Sequence, residues 1–194
     1  MKMVLATRSP DMARRLVYTG APPITLEDVA RHCRVEIDDL EPELIEHVII
    51  PGVVAQAEGR TGAAVRPAEY VEEWPERYAS GHALDMGQAS EILSIQRVAA
   101  DGSGENLDVP RYLEQGQRES FLHFPGGRPA GVLRIRYAAG MDTSAYPGVR
   151  LWLLMSAATA YEFRETLVSG TILAELPSSF IDSLLTEIEV PARF

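Results

Sequence analysis

Hydrophobic positions along this chain change their period twice. Leu26, Val29, Ala30 and Cys33 fall at i, i+3, i+4 and i+7, which predicts a short amphipathic helix. Thr25 ahead of it is a good N-cap, and Asp28 stands three residues on in a capping-box position. Pro22-Pro23 fixes an extended lead-in that cannot be helical. Residues 1–24 therefore read as an extended N-terminal arm, in which Arg14-Arg15-Leu16-Val17-Tyr18 can pair as a strand. A second helix is expected with Asp38 or Asp39 as its cap and Pro42 in its first turn. Leu44, Ile45, Val48 and Ile49 make its apolar face. Pro51-Gly52 interrupts the pattern before Val53, Val54 and Ala57 resume it. Proline inside a helix removes a backbone bond, so a bent helix or two short ones, ending near Gly59–Gly62, is expected. Residues 25–64 thus form an N-terminal helical segment.

From residue 65 to 140 the period shortens towards two. Tyr70, Glu72 and Trp74, then Leu84 and Met86, then Ile92, Ser94, Gln96 and Val98 predict short strands broken by turn residues. Asp101-Gly102-Ser103-Gly104 is a hairpin signal. Phe121-Leu122-His123-Phe124 and Val132 to Tyr137 predict two further strands around a loop at Pro125–Pro129. The second of them alternates apolar and basic residues, as a half-exposed strand should.

The helical period returns over 141–188. Leu151 to Tyr161 carries no charge and is apolar nearly all round, so its helix must be buried on several sides, by its own domain or by neighbouring subunits. The run is too short to span a bilayer. Asp in place of Leu154 is expected to bury an unpaired charge there. A turn at Ser169-Gly170 follows, then Thr171 to Pro177, then a short helix around Phe180, Leu184 and Leu185. Residues 189–194 close the chain as a tail. The predicted fold class is α+β, a helical core from both ends of the chain with a central β-rich insertion.

Composition narrows the chemistry. In 194 residues the formal net charge is −10, with 28 acidic groups against 18 basic ones. That balance argues against gripping nucleic acid through its phosphates, which needs a basic face. It suits a wall past which DNA moves. The basic residues are arginine apart from Lys2, so no P-loop lysine and no interior Schiff-base lysine is on offer. Cys33 is the single cysteine, which excludes an intramolecular disulfide and a cysteine-rich zinc site. His32, His47, His82 and His123 lie in four separate segments with no pair at metal-ligand spacing. No nucleophile elbow occurs, and Gly102-Ser103-Gly104 has no strand–helix unit around it to make a phosphate loop. Neither enzymatic activity nor a cofactor nor a metal is expected. Met1 to Arg15 lacks the apolar run of a signal peptide, so a soluble cytoplasmic protein is expected.

Several stretches, taken in order, resemble the head–tail connector (adaptor) proteins of tailed bacteriophages. Ile24 to Val29, Asp38-Asp39 and Leu44-Ile45-Glu46 look like that family's two opening helices. Ile92 to Val98, Asp101-Gly102, Leu107 and Tyr112 look like its central hairpin, and Val132 to Gly140 like the strand ending the insertion. Tyr161 to Glu165 and Glu175-Leu176-Pro177 resemble its C-terminal signatures. Pro51-Gly52 departs from the pattern, which has a continuous second helix, and the residues before Leu16 form a longer arm than it requires. The resemblance implies a virion protein of the neck, assembled in the host bacterial cytoplasm. It implies a closed ring of twelve subunits under the portal that joins head to tail, with DNA passing through the lumen. Its partners would be its own copies, the portal and a tail-side neck protein such as a stopper, with no membrane. Another neck component, a stopper or tail-completion protein, is the nearest alternative; a small cytosolic enzyme or binding module is the more remote one.

The candidate contact residues carry two readings each. Glu162, Arg164 and Glu165 are either a solvated helix end paired within itself or charges offered to a neighbouring subunit. Trp152 and Tyr161 are either core residues or interface anchors. Glu175, Leu176 and Pro177 enter through the resemblance. Arg193 and Phe194 are either a solvated end or, as arginine and aromatic, the residue types that dock best into a partner's pocket.

Overall fold

Thr25 starts the first helix as its sequence requires. In the computed structural model, which describes residues 12–163 and 178–191, the Thr25 Oγ1 accepts the Asp28 N–H at 3.3 Å. The Asp28 carboxylate accepts the Thr25 N–H at 3.0 Å. This reciprocal box satisfies two donors that the helix leaves over, and α1 runs Leu26–Cys33. The same Asp28 meets Arg150 at 2.7 Å, and Arg150 also donates to the Pro23 carbonyl at 3.3 Å. The cap of the first helix is thereby tied to the long C-terminal one.

Neither Asp38 nor Asp39 caps the second helix. They lie in a 3₁₀ turn, Ile37–Asp39, and α2 (Pro42–Leu44) begins after Glu41, with Pro42 in its first turn. Pro51 does not split the helix either. A π-helical stretch, Ile45–Ile49, passes directly into α3 (Ile50–Thr61), with Pro51 in the first turn of α3. The physical reason is local. Proline offers no N–H and crowds the carbonyl four residues back, and a wider π turn just before it lets the chain continue without the missing bond. Gly62, at φ 68°, closes α3 in the left-handed conformation open to glycine. Beyond it, the buried Glu58 carboxylate accepts the backbone N–H groups of Val65 and Arg66, each at 3.2 Å.

The chain divides into two compact units: the segment up to Thr19 with Pro67–Gly140, and Gly20–Arg66 with the segment from Met141 on. The second is helical. After a 3₁₀ turn at Thr143–Ala145, α4 (Pro147–Glu162) sends Val149, Trp152, Leu153 and Ala157 into its core. They pack with Ile24, Val29, Ile45, Val54 and Ile188. The short α5 (Ser178–Ser183) precedes a turn that buries Leu185 and Ile188, and the Val190 N–H reaches the Thr61 carbonyl at 2.7 Å. Burial of α4 is one-sided: Leu151 is 38% exposed, and Leu154 is only half-buried against the core. The residue that cannot meet water is Leu153, not Leu154.

The first unit is antiparallel β. Its strands among the described residues are β1 (Arg14–Tyr18), β2 (Ala68–Trp74), β3 (His82–Ala83), β4 (Ala89–Val98), β5 (Gly104–Asn106), β6 (Tyr112–Gln115), β7 (Ser120–His123) and β8 (Val132–Ala139). They form one sheet ordered β1-β2-β8-β4-β5 and a smaller one ordered β3-β7-β6. The alternation in β8 is realised as expected. Leu133, Ile135 and Tyr137 are buried, while Arg134 and Arg136 pair across the outer face with Glu73 and Glu69 of β2. Two expectations are corrected. Leu84 and Met86 lie past the end of the two-residue β3, and β4 is one ten-residue strand with a register shift between Ile92 and Ser94. A bulge adds a residue and turns the inward face by one position, so Ile95 rather than Ser94 enters the core. Gly140 ends the unit where a Cβ would stand 2.5 Å from the Cα of Pro67; no larger residue fits that approach.

Candidate assembly interface

The helices leave an open apolar groove. Its lining comes from the C-terminal end of α2, the π stretch, the start of α3 and the end of α4, through Leu44, Val48, Ile49, Val53, Ala160 and Phe163. Its volume is about 440 Å³. Val48 is 60% exposed and Phe163 38% exposed, so in the single subunit large apolar side chains face water along it. The π stretch builds this surface: its Ile45 and Ile49 turn inwards while Val48 turns out. Around the lining residues on the same helices stand Glu43, Glu46 and Glu162, all exposed. His47 lies 3.3 Å from Glu43.

A second exposed apolar feature belongs to the β unit. β1 is the outer strand of its sheet and pairs with β2 with a register shift between Arg15 and Val17. Leu16 is the extra residue of that bulge. Leu16 is 41% and Val17 52% exposed, beside exposed Arg14 and Arg15. The Arg15 guanidinium lies 4.1 Å over the Tyr18 ring.

Inside the β unit one carboxylate is held out of water. Glu72 of β2 is 3% exposed. Its Oε1 accepts the Trp74 indole N–H at 2.6 Å, and its Oε2 accepts the Asp85 N–H at 3.0 Å and the Tyr137 hydroxyl at 2.9 Å. Burial first, and then the Asp85 charge, push its pKa from 4.5 up to about 7 despite those three donors. The same burial pushes the Tyr137 phenol well above its usual range, so it stays a donor. In the helical unit, burial and the Glu162 carboxylate push the Cys33 thiol up, which makes it a poor nucleophile. Among the described residues, no group of three His, Cys, Asp or Glu side chains is placed to hold a metal ion, and no helix is long and apolar enough to cross a membrane.

Of the contact residues expected from sequence, three can be placed. Trp152 is 2% exposed, inside the helical core, with the Arg60 guanidinium 5.9 Å from its ring centre. Tyr161 is half-buried, and its hydroxyl reaches the Asp39 carbonyl at 3.5 Å. Glu162 is exposed at the end of α4. Arg164, Glu165, Glu175, Leu176, Pro177, Arg193 and Phe194 lie outside the described residues. Val48 is a correction: its spacing with Leu44, Ile45 and Ile49 predicts the inward face, and the π stretch, with its wider turn, leaves it 60% exposed instead. For Phe163 and the β1 side chains the sequence carries no local signal that sets them on the surface.

Chains of gene transfer agent particles share this fold. Over 94% of this chain and 97% of the other, it matches a chain in the neck of an empty gene transfer agent particle computed with C6 symmetry, at a TM-score of 0.72 and 15% identity. The same coverage holds for a chain of the virion of the native gene transfer agent particle, at 0.70 and 16%, and for one in the native particle's neck computed with C12 symmetry, at 0.65 and 17%. No family model matches the sequence, and no curated protein aligns with it. At these identities the likeness establishes the shared fold.

Proposed function

We propose that this chain is a head–tail connector (adaptor) subunit of a tailed phage or phage-like particle. In this reading it is a structural protein of the virion neck, assembled in the bacterial cytoplasm as a ring, of twelve copies by the resemblance, under the portal. A tail-side neck protein such as a stopper follows it, and DNA crosses the lumen without specific binding. The observation that carries the reading is the end-to-end fold match to chains from particle necks of C6 and C12 symmetry. Two features agree with it. The −10 charge suits a channel that does not retain DNA, and the apolar surface left on the helices suits burial between copies.

A stopper or tail-completion protein shares the neck but sits further from the head. Mixing the purified protein with portal rings distinguishes the two. An adaptor co-sediments with portal and adds a ring visible in electron micrographs, whereas a protein that binds portal only after another neck protein has been added belongs to the alternative. Absence from purified particles altogether would overturn the neck reading.

A further inference from the structure

We propose that β1 of one subunit docks into the groove of the next copy, so that the groove lined by Leu44, Val48, Ile49 and Phe163 is the receiving half of the ring contact. This rests on the ring reading above. An apolar groove flanked by Glu43, Glu46 and Glu162 fits an occupant that is apolar and basic together. The chain owns such a surface: Leu16 and Val17 exposed on an outer strand, with Arg14 and Arg15 beside them. Both surfaces are exposed in the subunit, and their complementary charge makes a second copy the occupant that the chain itself supplies for each. Two different patches that complement each other make a head-to-tail contact, the kind that closes into a ring when the rotation allows. Burying Val17 and Val48 together removes apolar surface from water, while the arginines and glutamates around them set register and exclude wrong partners.

The test exploits charge reversal. Arg14→Glu with Arg15→Glu makes one variant, and Glu43→Lys with Glu46→Lys the other. Each alone sets like charge against like at every contact, and is expected to weaken self-association, read by sedimentation velocity at low salt, about tenfold or more. An equimolar mixture is expected to regain wild-type assembly, because each variant's altered patch meets its complement on the other. Val48→Arg is expected to block assembly while leaving circular dichroism unchanged. Variants that assemble like wild type, or a mixture that fails to recover, would overturn this contact and leave the ring reading standing. A Val48→Arg protein whose monomer loses stability while its association is unaltered would show that the groove is filled from within the subunit, which also overturns it. Wild type that stays monomeric alone and forms no ring on portal would sink both.

Discussion

Between Trp74, Asp85 and Tyr137, Glu72 holds a proton longer than a solvated glutamate would, and stability must register it. Its folded pKa of about 7 lies above the ordinary 4.5. Between those values the folded state binds a proton that the unfolded state has released, so stability falls as pH rises through that window and levels off above 7. The full effect of such a shift is roughly 3 kcal/mol. Urea titrations at pH 5 and pH 7.5 should show the loss, and Glu72→Gln should flatten the difference whatever it does to absolute stability. An unchanged pH slope in Glu72→Gln would place the titrating group elsewhere. Glu72 was legible only as one position of a predicted strand. The period of that strand sets Glu72 on the same buried face as Tyr70 and Trp74, but the partners that hold its carboxyl, Asp85 and Tyr137, come from other segments, so no local pattern announced the raised pKa.

Elements were easier to read than their ends. The capping box at Thr25 and Asp28, the Asp101-Gly102 hairpin and the alternation of Val132 to Tyr137 each depend on residues within a few positions, and each is found where expected. Failures came where a neighbouring strand or helix decided. The bulge that brings Ile95 inwards is set by pairing with β8. Pro51 is the local exception, passed by a π turn in its own helix. The α4 helix shows the same limit. Its apolar run is continuous, so period alone gave no inward face and pointed to Leu154. The contacts select Leu153, which is fully buried. Leu153→Asp should therefore abolish cooperative unfolding, since an unpaired buried charge costs several kcal/mol against a total of roughly 5–15. Leu154→Asp should remain folded with a lowered melting temperature. Similar losses in the two variants, followed by thermal denaturation, would show that α4 is covered more evenly than its exposures indicate.

At the scale of the whole molecule, the two-part architecture was largely readable, because a change of hydrophobic period marks where helix gives way to strand. The surfaces were not, since a groove is assembled from residues of four helical segments and no single one reveals it. The C-terminal tail belongs to this scale too. Val190 bonds to Thr61 and packs on the helical core, so a cut that includes it costs stability. We therefore expect that removing Ala192, Arg193 and Phe194 alone keeps the fold, judged by circular dichroism, but sharply reduces retention of portal in a pull-down. A ring multiplies a weak contact by its symmetry, and an anchoring aromatic contributes about 2 kcal/mol. Equal retention would show the last three residues to be a solvated end. The π turn bears on how such a protein can diverge. It amounts to one residue more than a regular helix needs, so deleting a single residue between Ile45 and Ile49 would restore an ordinary helical phase. Because the wide turn already absorbs that extra residue, the helix from Ile50 to Thr61 would keep its phase, with Val53 and Val54 still in the core. One deletion there would thus reshape the groove at its π edge, where Val48 stands, and leave the parts supplied by α3 and α4 as they are, a local mutational route to a new docking specificity that a substitution cannot offer.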